Sequence, residues 1–71
     1  MSRIRVPREV LAGLETVRKS GQTNMFDVRR VAELADEMGY PQAAAWVRRN
    51  RQAYSRGIFN GFVANGGTED R

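Results

Sequence analysis

The run Ser20-Gly21-Gln22-Thr23-Asn24-Met25-Phe26-Asp27 ends one helical pattern and starts another, and so governs what this chain can fold into. Before it, Val10, Leu11, Leu14 and Val17 recur at helical spacing; after it come Val28, Val31, Ala32, Leu34, Ala35 and Met38. Gly21 is placed as the left-handed terminator of the first helix, behind Arg18 and Lys19, whose charges complement the negative end of the helix dipole. Asn24 is expected to cap the second helix, with Asp27 reaching back as an imperfect capping box and Thr23 in the same turn. Met25 and Phe26 give that turn an apolar anchor.

The pattern predicts an all-α, compact three-helix domain with helices over about residues 7–19, 25–38 and 41–57. Pro7 and Pro41 suit first helical turns, where a missing N–H is harmless, and Gly39 separates the second helix from the third. Gly13 either admits a neighbouring helix or faces solvent. Ile58-Phe59-Asn60-Gly61-Phe62-Val63 reads as an apolar hook, closing over the core or docking on a second subunit through Phe59 and Phe62. Residues 1–63 then form the single domain, and 64–71, without a large apolar residue, a frayed and disordered tail.

Composition narrows the chemistry. With 41% hydrophobic and 28% charged residues the chain falls in the globular range. At 71 residues one core supplies only roughly 3–5 kcal/mol, so a homo-oligomer is expected. The absence of cysteine and histidine removes disulfides, the thiolate nucleophile, and the commonest general base and metal ligand. Glu33, Asp36 and Glu37 lie on one helix without the burial that would tune them for catalysis, and Arg29–Glu33 and Arg30–Glu33 read as surface pairs. Gly21 stands alone, so there is no phosphate-cradling glycine loop. Neither an enzymatic activity nor a cofactor or metal is expected. The basic amino terminus has no apolar run behind it, which reads as neither signal peptide nor membrane span, and a soluble, cytoplasmic protein is expected.

The net charge of +4 rests mostly on arginine and favours a phosphate-bearing partner, nucleotide or nucleic acid, or an acidic host protein; the alternative is a solubilising excess. The third helix concentrates this signal. It sets Ala43, Trp46, Val47, Tyr54 and Ile58 on one face with Asn50 near its centre, edged by Arg49 and Arg56 on one side and Arg48 and Arg51 on the other. Guanidinium forks hold phosphate oxygens and aromatic faces stack bases, so Arg48, Arg49, Arg51, Arg56, Tyr54 and Asn50 form the candidate ligand site. The competing reading puts Trp46 and Tyr54 in the core and leaves the arginines as a solvated rim. Asn50 is read first as a structural amide satisfied by the Gln22–Thr23 turn, then as a ligand-reading or subunit-register residue. An anion site at Thr23 and Asn24 is opposed by Asp27.

Two further patterns bear on function. Ala35, Gly39 and Ala45 are spaced as in a helix-turn-helix, which would carry the third helix into the DNA major groove; Gln42, Ala43, Ala44 and Ala45 at its start offer one polar side chain for reading bases. Separately, Val6-Pro7, Glu9-Val10-Leu11, Arg18, the Ser20-Gly21-x-Thr23-Asn24-Met25-Phe26-Asp27 run, Gly39, Trp46, Asn50, Tyr54, Ile58 and Gly61-Phe62 resemble a family of short phage- and prophage-encoded proteins of unknown function. The resemblance covers residues 4–63, and Arg48, Arg49 and Arg51 lie outside its pattern. It implies a phage-type accessory protein acting by binding: obstructing a host factor, sequestering a nucleotide signal in counter-defence, or regulating transcription. The expectation is a non-enzymatic binder that captures a phosphate-bearing ligand on the arginine edge. The alternatives are a helix-turn-helix-like DNA-binding regulator and an adaptor or inhibitor of a host protein using the hydrophobic hook.

Overall fold

A computed structural model describes residues 3–65. The elements run β1 (Ile4–Val6), α1 (Arg8–Ser20), α2 (Val28–Glu37), α3 (Pro41–Arg49), α4 (Arg51–Asn60) and β2 (Phe62–Ala64). The domain is mostly helical, as expected, but among the described residues it has four helices rather than three and a short parallel strand pair besides.

Helix α1 follows Pro7, whose carbonyl accepts the Leu11 N–H at 3.0 Å, and ends at Gly21 in the left-handed conformation, φ 68°. It buries Val10, Gly13, Leu14 and Val17. Gly13 lies at the contact with α3: a Cβ there would stand 2.5 Å from the Ala43 Cβ and 2.8 Å from the Tyr40 Cβ, so only glycine allows the two backbones this near.

Helix α2 begins three residues later than the sequence pattern suggests, because Asp27 and not Asn24 is its cap. The Asp27 Oδ1 accepts the Arg30 N–H at 3.2 Å. Asn24 shapes the turn before it, its Oδ1 accepting the Phe26 N–H at 2.8 Å and its carbonyl the Asp27 N–H at 2.9 Å. With Asp27 occupied as the cap, no capping box from Asn24 forms. The turn also uses Thr23, whose hydroxyl donates to the Asn24 carbonyl at 3.4 Å.

The single helix expected over residues 41–57 is two, broken at Asn50. Asn50 has φ −129° and ψ 51°, outside the helical region. Its N–H and its side-chain amide both donate to the Trp46 carbonyl, at 2.9 and 3.0 Å, and its own carbonyl accepts the Tyr54 N–H at 2.8 Å. One residue thus ends α3 and starts α4, the competition between asparagine side chain and helix backbone that makes asparagine a poor interior residue. The expected partner at Gln22 and Thr23 is not the one used.

The hook is likewise reassigned. Ile58–Asn60 finish α4, and Phe62–Ala64 pair in parallel with β1 in the register Ile4↔Phe62, Arg5↔Val63 and Val6↔Ala64. The Ile4 N–H donates to the Gly61 carbonyl at 2.9 Å and the Asn65 N–H to the Val6 carbonyl at 2.6 Å. Ala64 and Asn65, assigned above to the tail, belong to the fold; the rest of that segment, 66–71, lies outside the described residues.

Among the described residues the buried core has twelve members, of which five are valine and four alanine; Leu14, Leu34 and Tyr54 are the larger ones. Phe62 packs on it, edge-on to Trp46 with ring centroids 6.2 Å apart and tilted on Tyr54 at 5.8 Å. Among the described residues, no helix is long and apolar enough to cross a membrane.

Candidate functional site

The break at Asn50 brings the arginines together. Arg48 and Arg49 close the last turn of α3, Arg51 opens α4, and Arg56 follows on the next turn; with Asn50, Gln52 and Ala53 they line one open depression of about 480 Å³. Cations at the end of α3 complement its dipole, whereas Arg51 at the start of α4 opposes that helix's positive end. The first turn of α4 has neither a side-chain cap nor an acidic residue, so no side chain offsets the positive end of that helix beside Arg51. Unrelieved positive charge of this kind is what an anion would satisfy.

The four arginines are not equivalent. Arg48 donates to Asp36 Oδ2 at 3.0 Å, with both side chains about half exposed, which partly neutralises it. Arg49, Arg51 and Arg56 form no ion pair among the described residues. On α2, Arg30 reaches both Glu33 at 3.2 Å and Glu37 at 3.5 Å, whereas the expected Arg29–Glu33 pair does not form among the described residues. Exposed pairs of this sort contribute about 0–1 kcal/mol each.

Tyr54 does not join the cluster. Its side chain is 0% exposed, and its hydroxyl donates to the Met25 carbonyl at 2.5 Å, tying α4 to the Ser20–Asp27 turn. Burial disfavours the phenolate and pushes the Tyr54 pKa up to about 12, so the group is a neutral donor at any ordinary pH. Trp46 is half-buried against Phe62 and does not line the depression. The aromatic residues of the expected site therefore belong to the core, as the competing reading had it, and the depression offers charge and backbone donors without a stacking face. Asn50 lines it, but its amide is committed to Trp46. Gln52 and Ala53 were missed by the sequence reading; starting a helix at Arg51 would have found them, since both then fall in its first turn.

Between α2 and α3, the turn Met38-Gly39-Tyr40 has Gly39 at φ 92°, a conformation suited to glycine. The Tyr40 N–H donates to the Ala35 carbonyl at 2.7 Å across it. Ala43, Ala44 and Val47 face the core from α3, while Ala45, which a helix-turn-helix would place in the core of its second helix, is half-exposed.

A model of the family described as "Domain of unknown function (DUF5049)" matches residues 8–62, from the first residue of α1 to the first of β2. The chain belongs to the DUF5049 family. The family match spans all four helices and the α3–α4 break, so the arginine-lined depression sits within its boundaries. No curated protein and no solved structure matches the chain.

Proposed function

We propose that this protein is a non-enzymatic, phage-type accessory protein that binds a phosphate-bearing ligand at the α3–α4 junction. The observation that carries the reading is the uncapped, acid-free first turn of α4 ringed by Arg48, Arg49, Arg51 and Arg56. Backbone N–H groups and guanidinium forks both recognise phosphate oxygens. The depression is open and its aromatic neighbours are turned inward, which favours the sugar-phosphate backbone of a nucleic acid over a nucleotide held by its base. The phage setting rests on the resemblance carried by the Ser20–Asp27 run and the spacing of Trp46, Asn50 and Tyr54.

A second reading, a helix-turn-helix-like regulator reading the DNA major groove through α3, draws on the left-handed Gly39 between α2 and α3. Its weakness is chemical: the outward side chains early in α3 are Pro41, Gln42 and Ala45, with one base-reading group among them. Fluorescence anisotropy on labelled single-stranded, duplex and mononucleotide probes separates the readings. Backbone binding predicts affinity for polynucleotides without sequence preference, lost in the triple substitution Arg49→Ala, Arg51→Ala, Arg56→Ala. A preference for one duplex sequence that survives that triple substitution would favour the α3 reading, and no binding to any probe would refute both.

A further inference from the structure

At the end of α4 away from the arginines, an apolar groove of about 310 Å³ opens between α1 and α4. Leu11, Leu14, Met25 and Ile58 supply its apolar walls, and Glu15 and Arg18, one helical turn apart on α1, supply its charge. Next in sequence to two of its lining residues, Met25 and Ile58, come Phe26 and Phe59, whose ring centroids are 5.7 Å apart. Phe26 is 58% exposed and Phe59 76%.

This is a costly thing to leave in water. Of the chain's three phenylalanines, only Phe62 packs on the core; the other two form the exposed pair, while the interior is filled mainly by valine and alanine. A small domain that leaves two phenylalanine rings outside a thin core gains by burying them against another chain.

We infer that the groove is closed by a second copy of this chain, with Phe59 of each protomer seated in the groove of the other beside its Phe26. The charge arrangement selects this occupant. In a two-fold interface each residue meets its counterpart's neighbour twice, so a patch must be complementary to itself. Glu15 and Arg18 meet that demand: neither forms an ion pair among the described residues, and with α1 antiparallel to its partner each Arg18 falls opposite the other protomer's Glu15. The antiparallel arrangement also opposes the two helix dipoles. The interface lies at the opposite end of α4 from Arg51, so the dimer leaves both arginine depressions open.

Sedimentation equilibrium on the purified full chain tests this at on the order of 100 µM, where a complex of micromolar affinity is essentially formed. The wild type is expected at twice the 8.0 kDa chain mass. Phe59→Glu, at an exposed position, is expected to give the monomer with an unchanged helical circular-dichroism spectrum. Glu15→Arg alone is expected to weaken the dimer at least tenfold, by setting an arginine against the other protomer's Arg18 at both symmetric contacts, and Glu15→Arg with Arg18→Glu to restore it. A wild-type monomer at this concentration overturns the inference. So does a dimer that neither Phe59→Glu nor Glu15→Arg weakens.

Discussion

α4 carries Arg51 and Arg56 in solvent, beside a junction held by a single asparagine; toward its end Gly57 is buried and Ile58 packs on the core, and Phe62, the first residue of β2, packs on Gly57. The two ends share one helix and differ in what depends on them. A Cβ on Gly57 would stand 2.1 Å from the Phe62 ring, and that ring is in turn fixed by Trp46 and Tyr54, so the apolar end has no room for change. The arginine end has charge without packing, and Arg49, Arg51 and Arg56 contribute nothing visible to the fold. A cation at a helix amino terminus is at a small electrostatic disadvantage, for which the proposed phosphate site would supply a reason. Stability and binding should therefore separate along α4.

The largest effect belongs to Tyr54, which anchors the apolar end to the Met25 carbonyl. Tyr54→Ala removes a fully buried ring and should cost about 3–5 kcal/mol, close to the whole stability of a domain this small. Urea titration should then show no cooperative transition; a midpoint near that of the wild type would break the distinction between the two ends.

Alkaline pH should act through the same residue. Burial raises the Tyr54 pKa to about 12 from its usual 10.0, so the unfolded chain releases this proton first. Below about pH 10 this group leaves stability unchanged; stability falls as pH rises between 10 and 12, by up to about 3 kcal/mol for the two-unit shift. Thermal melts across this range should show the decline, and Tyr54→Phe should flatten it while losing about 1 kcal/mol at neutral pH with the hydrogen bond to Met25. An equal decline in Tyr54→Phe would place the cause elsewhere.

Gly57→Ala sharpens the comparison with a single methyl group. The Phe62 ring would have to leave its place on Trp46 and Tyr54, at about 1–3 kcal/mol by urea denaturation. Arg51→Ala, six residues earlier on the same helix, should stay within about 0.5 kcal/mol of the wild type.

How much of this was legible in the sequence follows from the length of each signal. Helices α1 and α2 were readable because their apolar stripes run for three turns, and Gly21 marks the end of the first. The break at Asn50 was not, because Ala43, Val47, Tyr54 and Ile58 keep helical spacing across it; only the dihedral angles and the doubly used Trp46 carbonyl reveal it. The strands were hidden by their size: Ile4–Val6 and Phe62–Ala64 have three residues each, too few for an alternating pattern, and they pair across nearly the whole chain. At the candidate site the arginines were legible as a cluster by composition alone. That Tyr54 and Trp46 turn away from them was open in the apolar spacing, which put both on the core face; the packing of Phe62 on both rings was not legible there.

The most direct test of the arginine end is the salt dependence of polynucleotide binding. For the wild type, the logarithm of the duplex association constant should fall linearly with the logarithm of salt concentration, with a slope of about −0.9 for each phosphate contacted. Each of Arg49→Ala, Arg51→Ala and Arg56→Ala should reduce that slope by about one contact's worth, and Arg48→Ala by less because Asp36 already holds it. A wild-type slope that these substitutions leave unchanged would show that the phosphates are bound elsewhere, and that the arginine end of α4 is only a solvated rim.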